Sequence, residues 1–175
     1  GIISGGALQR GAQGAAGDLG HVAVPDGNQT LCSCGNLGCL EAVASGSAVA
    51  RQLHERDAEV RTQGDVVALV RAGDTTAIQA VREAGRDIGS VLAGVVSLLN
   101  PSVLVVGGRL SGVGEQLLAG IRESVYRRSL PLGTHHLRIV SSVCGMRAGI
   151  VGASVLVTDT LLSADGVDAL VRGAG

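Results

Sequence analysis

The chain has 175 residues, 46% of them apolar, with one Tyr and no Trp or Phe. This length supports a single domain with a real core, and the apolar share excludes a disordered chain. A net charge of −1 leaves no electrostatic footprint for nucleic acid and no polybasic membrane patch, and no apolar run is long enough to span a bilayer.

The first segment, "GIISGGALQRGAQGAAG" (1–17), is Gly-rich with short apolar runs and reads as a strand or hairpin followed by a loop. "HVAV" (21–24) reads as a short strand, "PDGNQT" (25–30) as a turn, and 31–40 as a cysteine loop. Ser45 or Ser47 can cap a helix reaching about Arg56, and a second short helix is expected over 64–72. The strongest helix signal covers 75–99. There Ile78, Val81, Gly85, Ile88, Leu92, Val95 and Leu99 draw one apolar stripe, between an Asp74 cap and an "NP" stop.

"VLVV" (103–106) is expected to be a strand buried on both faces, and "GGRLSG" (107–112) a tight turn. A helix over about 113–127 should bury Leu117, Ile121 and Val125. "LRIVSS" (137–142) reads as a strand, 147–162 as a helix of small residues suited to close packing, and 165–171 as a short terminal helix. Cys144 is expected to be a small buried hydrophobe. The alternation of strands and helices predicts an α/β layered fold with a largely buried sheet.

Three of the four cysteines, Cys32, Cys34 and Cys39, fall within eight positions, eleven residues after His21. One imidazole and three thiolates make the donor set of a closed, tetrahedral structural zinc site, with Gly35 and Gly38 letting the loop fold back. Clustered thiols of this kind suit metal binding in a reducing compartment, the cytoplasm, better than a disulfide framework. The bland alternative is three buried reduced thiols without metal. A nucleic-acid-binding finger is disfavoured by the ligand spacing and by the low basic charge of the following helix.

Asp18 and Glu41 flank this set. If His21 and Cys39 meet at one ion, the two carboxylates come together beside an imidazole N–H, a set of hydrogen-bonding partners for a polyol such as a sugar. Alternatively, Asp18 caps a turn and Glu41 opens a helix, where an acid suits the dipole.

The run "GAAGDLGHVAV…CSCGNLGCLEAVASGSAVAR", with "LNPSVLVVGGRLS", "IRESVYRRSLP" and "RAGIVGAS", closely resembles the ROK family of bacterial repressors and sugar kinases. The resemblance implies an actin-like ATPase (ribonuclease H-like) fold of two lobes. Residues 1–20 would be the Gly-rich end of the first lobe, and 21–175 the C-terminal lobe with its inserted zinc loop at 21–41. It implies His21, Cys32, Cys34 and Cys39 as zinc ligands and Asp18, His21 and Glu41 as sugar contacts. Gly5 and Gly6 would lie near phosphates, and Gly107 and Gly108 near the adenosine end of ATP. It also implies a homodimer or homotetramer.

In the family's kinases the aspartate base precedes the Gly-rich segment, so this chain by itself is expected not to catalyse phosphoryl transfer, and ATP with Mg²⁺ matters only if the parent is a kinase. The chain opens without Met and reads as a piece of a longer polypeptide. Asp18 stands where the kinases carry Glu, and Arg109 follows the glycine pair where they often carry a small residue. Both departures favour the sensing domain of a transcriptional regulator, which would bind a sugar or sugar phosphate and reach DNA only through a helix-turn-helix upstream. The alternative is the C-terminal lobe of an ATP-dependent, glucokinase-like sugar kinase.

Overall fold

The structure, a computed structural model, describes residues 1–25, 29–56 and 59–173. Its elements in order are β1 (Ile2–Ser4), β2 (Ala7–Gln9), α1 (Leu40–Ala44), α2 (Gly46–His54), α3 (Gln63–Arg71), α4 (Thr75–Leu99), β3 (Val103–Val106), α5 (Glu115–Arg128), α6 (Pro131–Thr134), β4 (Arg138–Ser141), α7 (Ala148–Leu161) and α8 (Ala164–Gly173). Short 3₁₀ turns cover Arg109–Val113 and Gly145–Arg147.

Local chemistry explains most of these boundaries. β1 and β2 form an antiparallel hairpin closed by Gly5 and Gly6, whose φ values of 59° and 77° suit a two-residue hairpin turn that other residues resist. The Ser45 hydroxyl accepts the Ala48 N–H and starts α2. Thr62 caps α3, and Asp65 returns to accept the Thr62 and Arg61 N–H groups at 2.7 and 2.9 Å. Asp74 accepts the Ala77 N–H at 2.7 Å to start α4, and left-handed Asn100 ends it just before Pro101.

The core lies where α4 meets α5. Val81, Ala84 and Val96 pack with Leu117, Ile121 and Val125, all nearly inaccessible. The approach is so close that a Cβ on Gly85 would stand 2.5 Å from the Leu117 carbonyl oxygen, and one on Gly120 would overlap the Arg82 carbonyl. The buried side of α4 therefore includes Ala77, Ala84, Gly89 and Val96, outside the predicted stripe. Leu99, at the end of that stripe, is exposed. Small residues carry the helix crossing, and a reading of large apolar positions undercounts them. Arg122 ties α5 to β4 through the Ile139 carbonyl at 3.0 Å and holds Glu115 at 2.6 Å.

Several expectations are corrected. β3 and β4 pair in parallel, but the sheet is not buried on both faces: Val105 is 61% exposed while Leu104 and Val106 rest on the core. Helices cover one face of this two-stranded sheet, and nothing among the described residues covers the other. Residues 21–24 form no strand; only an isolated bridge pairs Ala23 with Cys39. The predicted turn at 107–112 continues into the 3₁₀ turn. Cys144 is half-buried rather than buried. The 25–30 turn falls partly outside the described residues.

α7 is not closely packed. None of its residues is buried, and Ile150 is 74% exposed. Its Ser154 and Thr160 hydroxyls bond back to the Ile150 and Leu156 carbonyls of the same helix. No single helix among the described residues is long and apolar enough to cross a membrane; α7 and α8 pass that test of length and composition only as a pair, and the pair is bent by 64°.

Candidate metal and ligand site

The loop from Asp18 to Glu41 is held by main-chain bonds rather than by a sheet. The Val24 N–H donates to the Gly38 carbonyl, the Cys32 N–H to Asn36, the Gly38 N–H to Thr30 and the Leu40 N–H to Val22, all at 2.8–2.9 Å. Gly35 and Gly38 take φ values of 89° and 68°, as the fold-back of the loop requires.

These bonds gather the predicted ligands. Donor atoms of His21, Cys32, Cys34 and Cys39 all lie within 4.8 Å of one another. The Cys34 and Cys39 sulfurs are 3.6 Å apart, and the Cys32 sulfur is 3.6 Å from His21 Nδ1. A zinc tetrahedron with bonds of about 2.3 Å to sulfur and about 2.05 Å to nitrogen has donor separations of roughly 3.6–3.8 Å, which the Cys34–Cys39 and Cys32–His21 pairs match. Cys32 and Cys39 are buried and Cys34 is exposed.

The electrostatics agree. The Cys32 thiol is lowered to about 6, first by the Cys34 backbone N–H and then by hydrogen bonds from neighbouring side chains, against the opposing effect of desolvation. The Cys39 thiol is pushed up to about 12, chiefly by burial and also by the neighbouring thiols. His21 is raised, first by its bond to Cys32. Hydrogen bonds thus favour the thiolate form at Cys32, while burial and the neighbouring thiols disfavour it at Cys39.

With Nδ1 turned to the thiols, His21 turns Nε2 outward to 3.9 Å from Glu41 Oε2. Asp18 joins from the other side of Gly20. The Gly20 N–H donates to Asp18 Oδ1 at 3.2 Å, and the Gly20 carbonyl accepts the Glu41 N–H at 2.8 Å. A Cβ on Gly20 would meet Glu41 Oε2 at 3.4 Å and Asp18 Oδ1 at 3.5 Å. Asp18 thus caps a turn and Glu41 stands in the first turn of α1, and both carboxylates border Gly20.

Sequence reasoning missed Gly20, although a glycine between the acid and the histidine was its signal. It also missed Asn36, whose amide donates to the Cys34 sulfur at 3.5 Å.

The glycine pairs occupy turns. Gly5 and Gly6 close the β1–β2 hairpin, and Gly107 and Gly108 leave β3, Gly108 with φ 93°. β1 and β3 wall one groove of about 600 Å³, which Asp18 and Leu92 also line. Arg109 is exposed.

The model of the ROK family matches residues 1–160. The chain belongs to the ROK family. A glucokinase of Streptomyces coelicolor is 36% identical over 89% of this chain and 55% of its own. The xylose repressor of Caldicellulosiruptor bescii is 31% identical over 93% of this chain and 44% of its own. A ROK-family glucokinase from Streptomyces griseus, solved with glucose and AMPPNP, superposes with a TM-score of 0.76 at 34% identity, over 89% of this chain and 55% of that one. The chain thus spans about half the length of the ROK proteins it matches, and both repressors and kinases are among them.

Proposed function

We propose that this chain is the sugar-sensing lobe of a ROK-family transcriptional regulator, with residues 1–20 leading into an actin-like C-terminal lobe at 21–175. The observation that carries the reading is the two-sided placement of His21. Nδ1 stands 3.6 Å from the Cys32 sulfur of the thiol cluster, and Nε2 stands 3.9 Å from Glu41 Oε2, with Asp18 and Glu41 both bordering Gly20.

His21, Cys32, Cys34 and Cys39 would hold a zinc ion, which with four protein donors supplies rigidity rather than an activated water. His21 Nε2–H then donates to a sugar hydroxyl oxygen, while the Asp18 and Glu41 carboxylates accept from sugar hydroxyls. Asp18 already spends Oδ1 on the Gly20 N–H, so Oδ2 is its oxygen for the ligand. A sugar held this way biases the closure of two lobes, and through it the spacing of DNA-binding segments in a homodimer or homotetramer.

Two features favour a sensor over a catalyst. Asp18 is one methylene shorter than Glu and is anchored to its own turn, and Arg109 places a cation directly after the glycine pair. The likeness to the glucose- and AMPPNP-bound glucokinase supports the second reading, the C-terminal lobe of an ATP-dependent hexose kinase.

The full-length protein separates the two. Sugar binding by calorimetry with no ADP release from ATP is the expected outcome. ATP-dependent phosphorylation of glucose would replace the regulator with the kinase. Chelation is expected to weaken sugar binding at least tenfold; unchanged affinity in metal-free protein would refute the supporting role of the thiol cluster.

A further inference from the structure

A second group of metal-seeking side chains lies outside the thiol loop. His135 and His136 are the central residues of a turn between α6 and β4, closed by the Leu137 N–H donating to the Thr134 carbonyl at 3.1 Å. Both flanks are anchored. Leu137 is buried, the Arg138 N–H donates to the Ser102 carbonyl at 3.0 Å, and the Thr134 hydroxyl bonds back to the Leu130 and Pro131 carbonyls. The turn therefore fixes the backbone under two exposed imidazoles.

The rings do not point apart. His135 Nδ1 stands 3.1 Å from His136 Nε2, with the ring planes at 88° and centroids 4.3 Å apart. Two nitrogen donors at about 2.0–2.1 Å from one ion, at bond angles of 90–110°, are separated by roughly 2.9–3.4 Å. The observed spacing falls inside that window.

We propose that His135 and His136 form a two-imidazole surface site for a divalent transition-metal ion of the class that favours imidazole: Cu²⁺, Ni²⁺ or Zn²⁺. His135 Nδ1 and His136 Nε2 are the donors, and water fills the remaining positions. Hard cations such as Ca²⁺ and Mg²⁺ are excluded by the absence of an oxygen donor in the pair. Because the turn fixes the backbone beneath both rings and the rings already contact each other, less ordering is left for binding to accomplish.

The test uses the chain with its thiol cluster saturated with zinc, so that further binding is read separately. Calorimetric titration with Ni²⁺ at pH 7.5 should show one additional site. That site should weaken at least tenfold in His135→Gln and in His136→Gln, and stay unchanged in the control His54→Gln. With Cu²⁺, electron paramagnetic resonance should show two nitrogen ligands in the parent and one in each single variant. Both positions are exposed, so the variants should keep the parent's circular dichroism. The proposal is overturned if the zinc-loaded parent takes up no Ni²⁺ or Cu²⁺, or if the double variant binds as tightly as the parent. The two rings would then be only a hydrogen-bonded pair.

Discussion

α4 and α7 are both apolar helices that carry glycine, yet α4 forms the core with α5 while α7 has no buried residue. The difference lies in what the glycines face. Gly85 and Gly89 of α4 meet α5 backbone where a Cβ would stand 2.5 Å from a carbonyl oxygen, whereas Gly149 and Gly152 of α7 have nothing within 4 Å. A run of small apolar residues specifies a helix able to pack closely. Burial also needs an opposing surface, and only α4 has one among the described residues.

The sharpest way to break this contrast is Gly120→Ala. The added methyl would overlap the Arg82 carbonyl, part of a helix backbone that cannot yield without opening the crossing. We expect a loss of about 1–3 kcal/mol or more in chemical denaturation. A near-neutral result would mean that the α4–α5 crossing is looser than described. Next in size is Asp74→Ala, which leaves the Ala77 N–H without its acceptor at the start of α4. The expected loss is about 1 kcal/mol.

Gly152→Ala tests the other side. With open space around it, the methyl should leave stability unchanged or raise it by up to ~1 kcal/mol through helix propensity. A large loss would show that α7 is packed in solution.

The smallest effect is electrostatic. Asp87, half-buried on α4, is raised by desolvation and then by Glu83, with Arg86 opposing. A carboxyl raised on folding holds its proton more tightly in the native state, so its favourable contribution is present below the unfolded value and lost as pH rises through the folded one. Asp87→Asn should therefore raise the melting temperature modestly at pH 7 and not at pH 3. An equal gain at both pH values would point to packing instead.

Local chemistry made most of the fold legible in the sequence. The caps at Ser45 and Asp74, the stop at Asn100–Pro101 and the stripe Leu117, Ile121, Val125 all depend on neighbours a few positions away, and each stands where the sequence put it. The thiol cluster was legible for the same reason, its donors being close along the chain and hard to explain otherwise. Burial was less legible. The run at 103–106 is apolar enough for a strand covered on both faces, but its exposed side depends on surface that no local pattern encodes. The same holds for α7. At the candidate ligand site, the types of Asp18 and Glu41 were readable, but their convergence passes through the main chain of Gly20, and main-chain hydrogen bonds leave no mark on a side-chain pattern.

His21 and Cys39 are eighteen positions apart, and the other two ligands lie between them. The hydrogen bonds that gather these four side chains among the described residues are therefore short in sequence, while Val24 and Val43 pack on Val91 of α4. Closing such a loop costs little chain entropy and needs no distant strand to arrive first. During synthesis, this stretch can leave the ribosome and bring its imidazole and thiols together before the chain that will form α4 and α5 has been made. Packing of Val24 and Val43 against Val91 of α4 then joins the loop to the helical core.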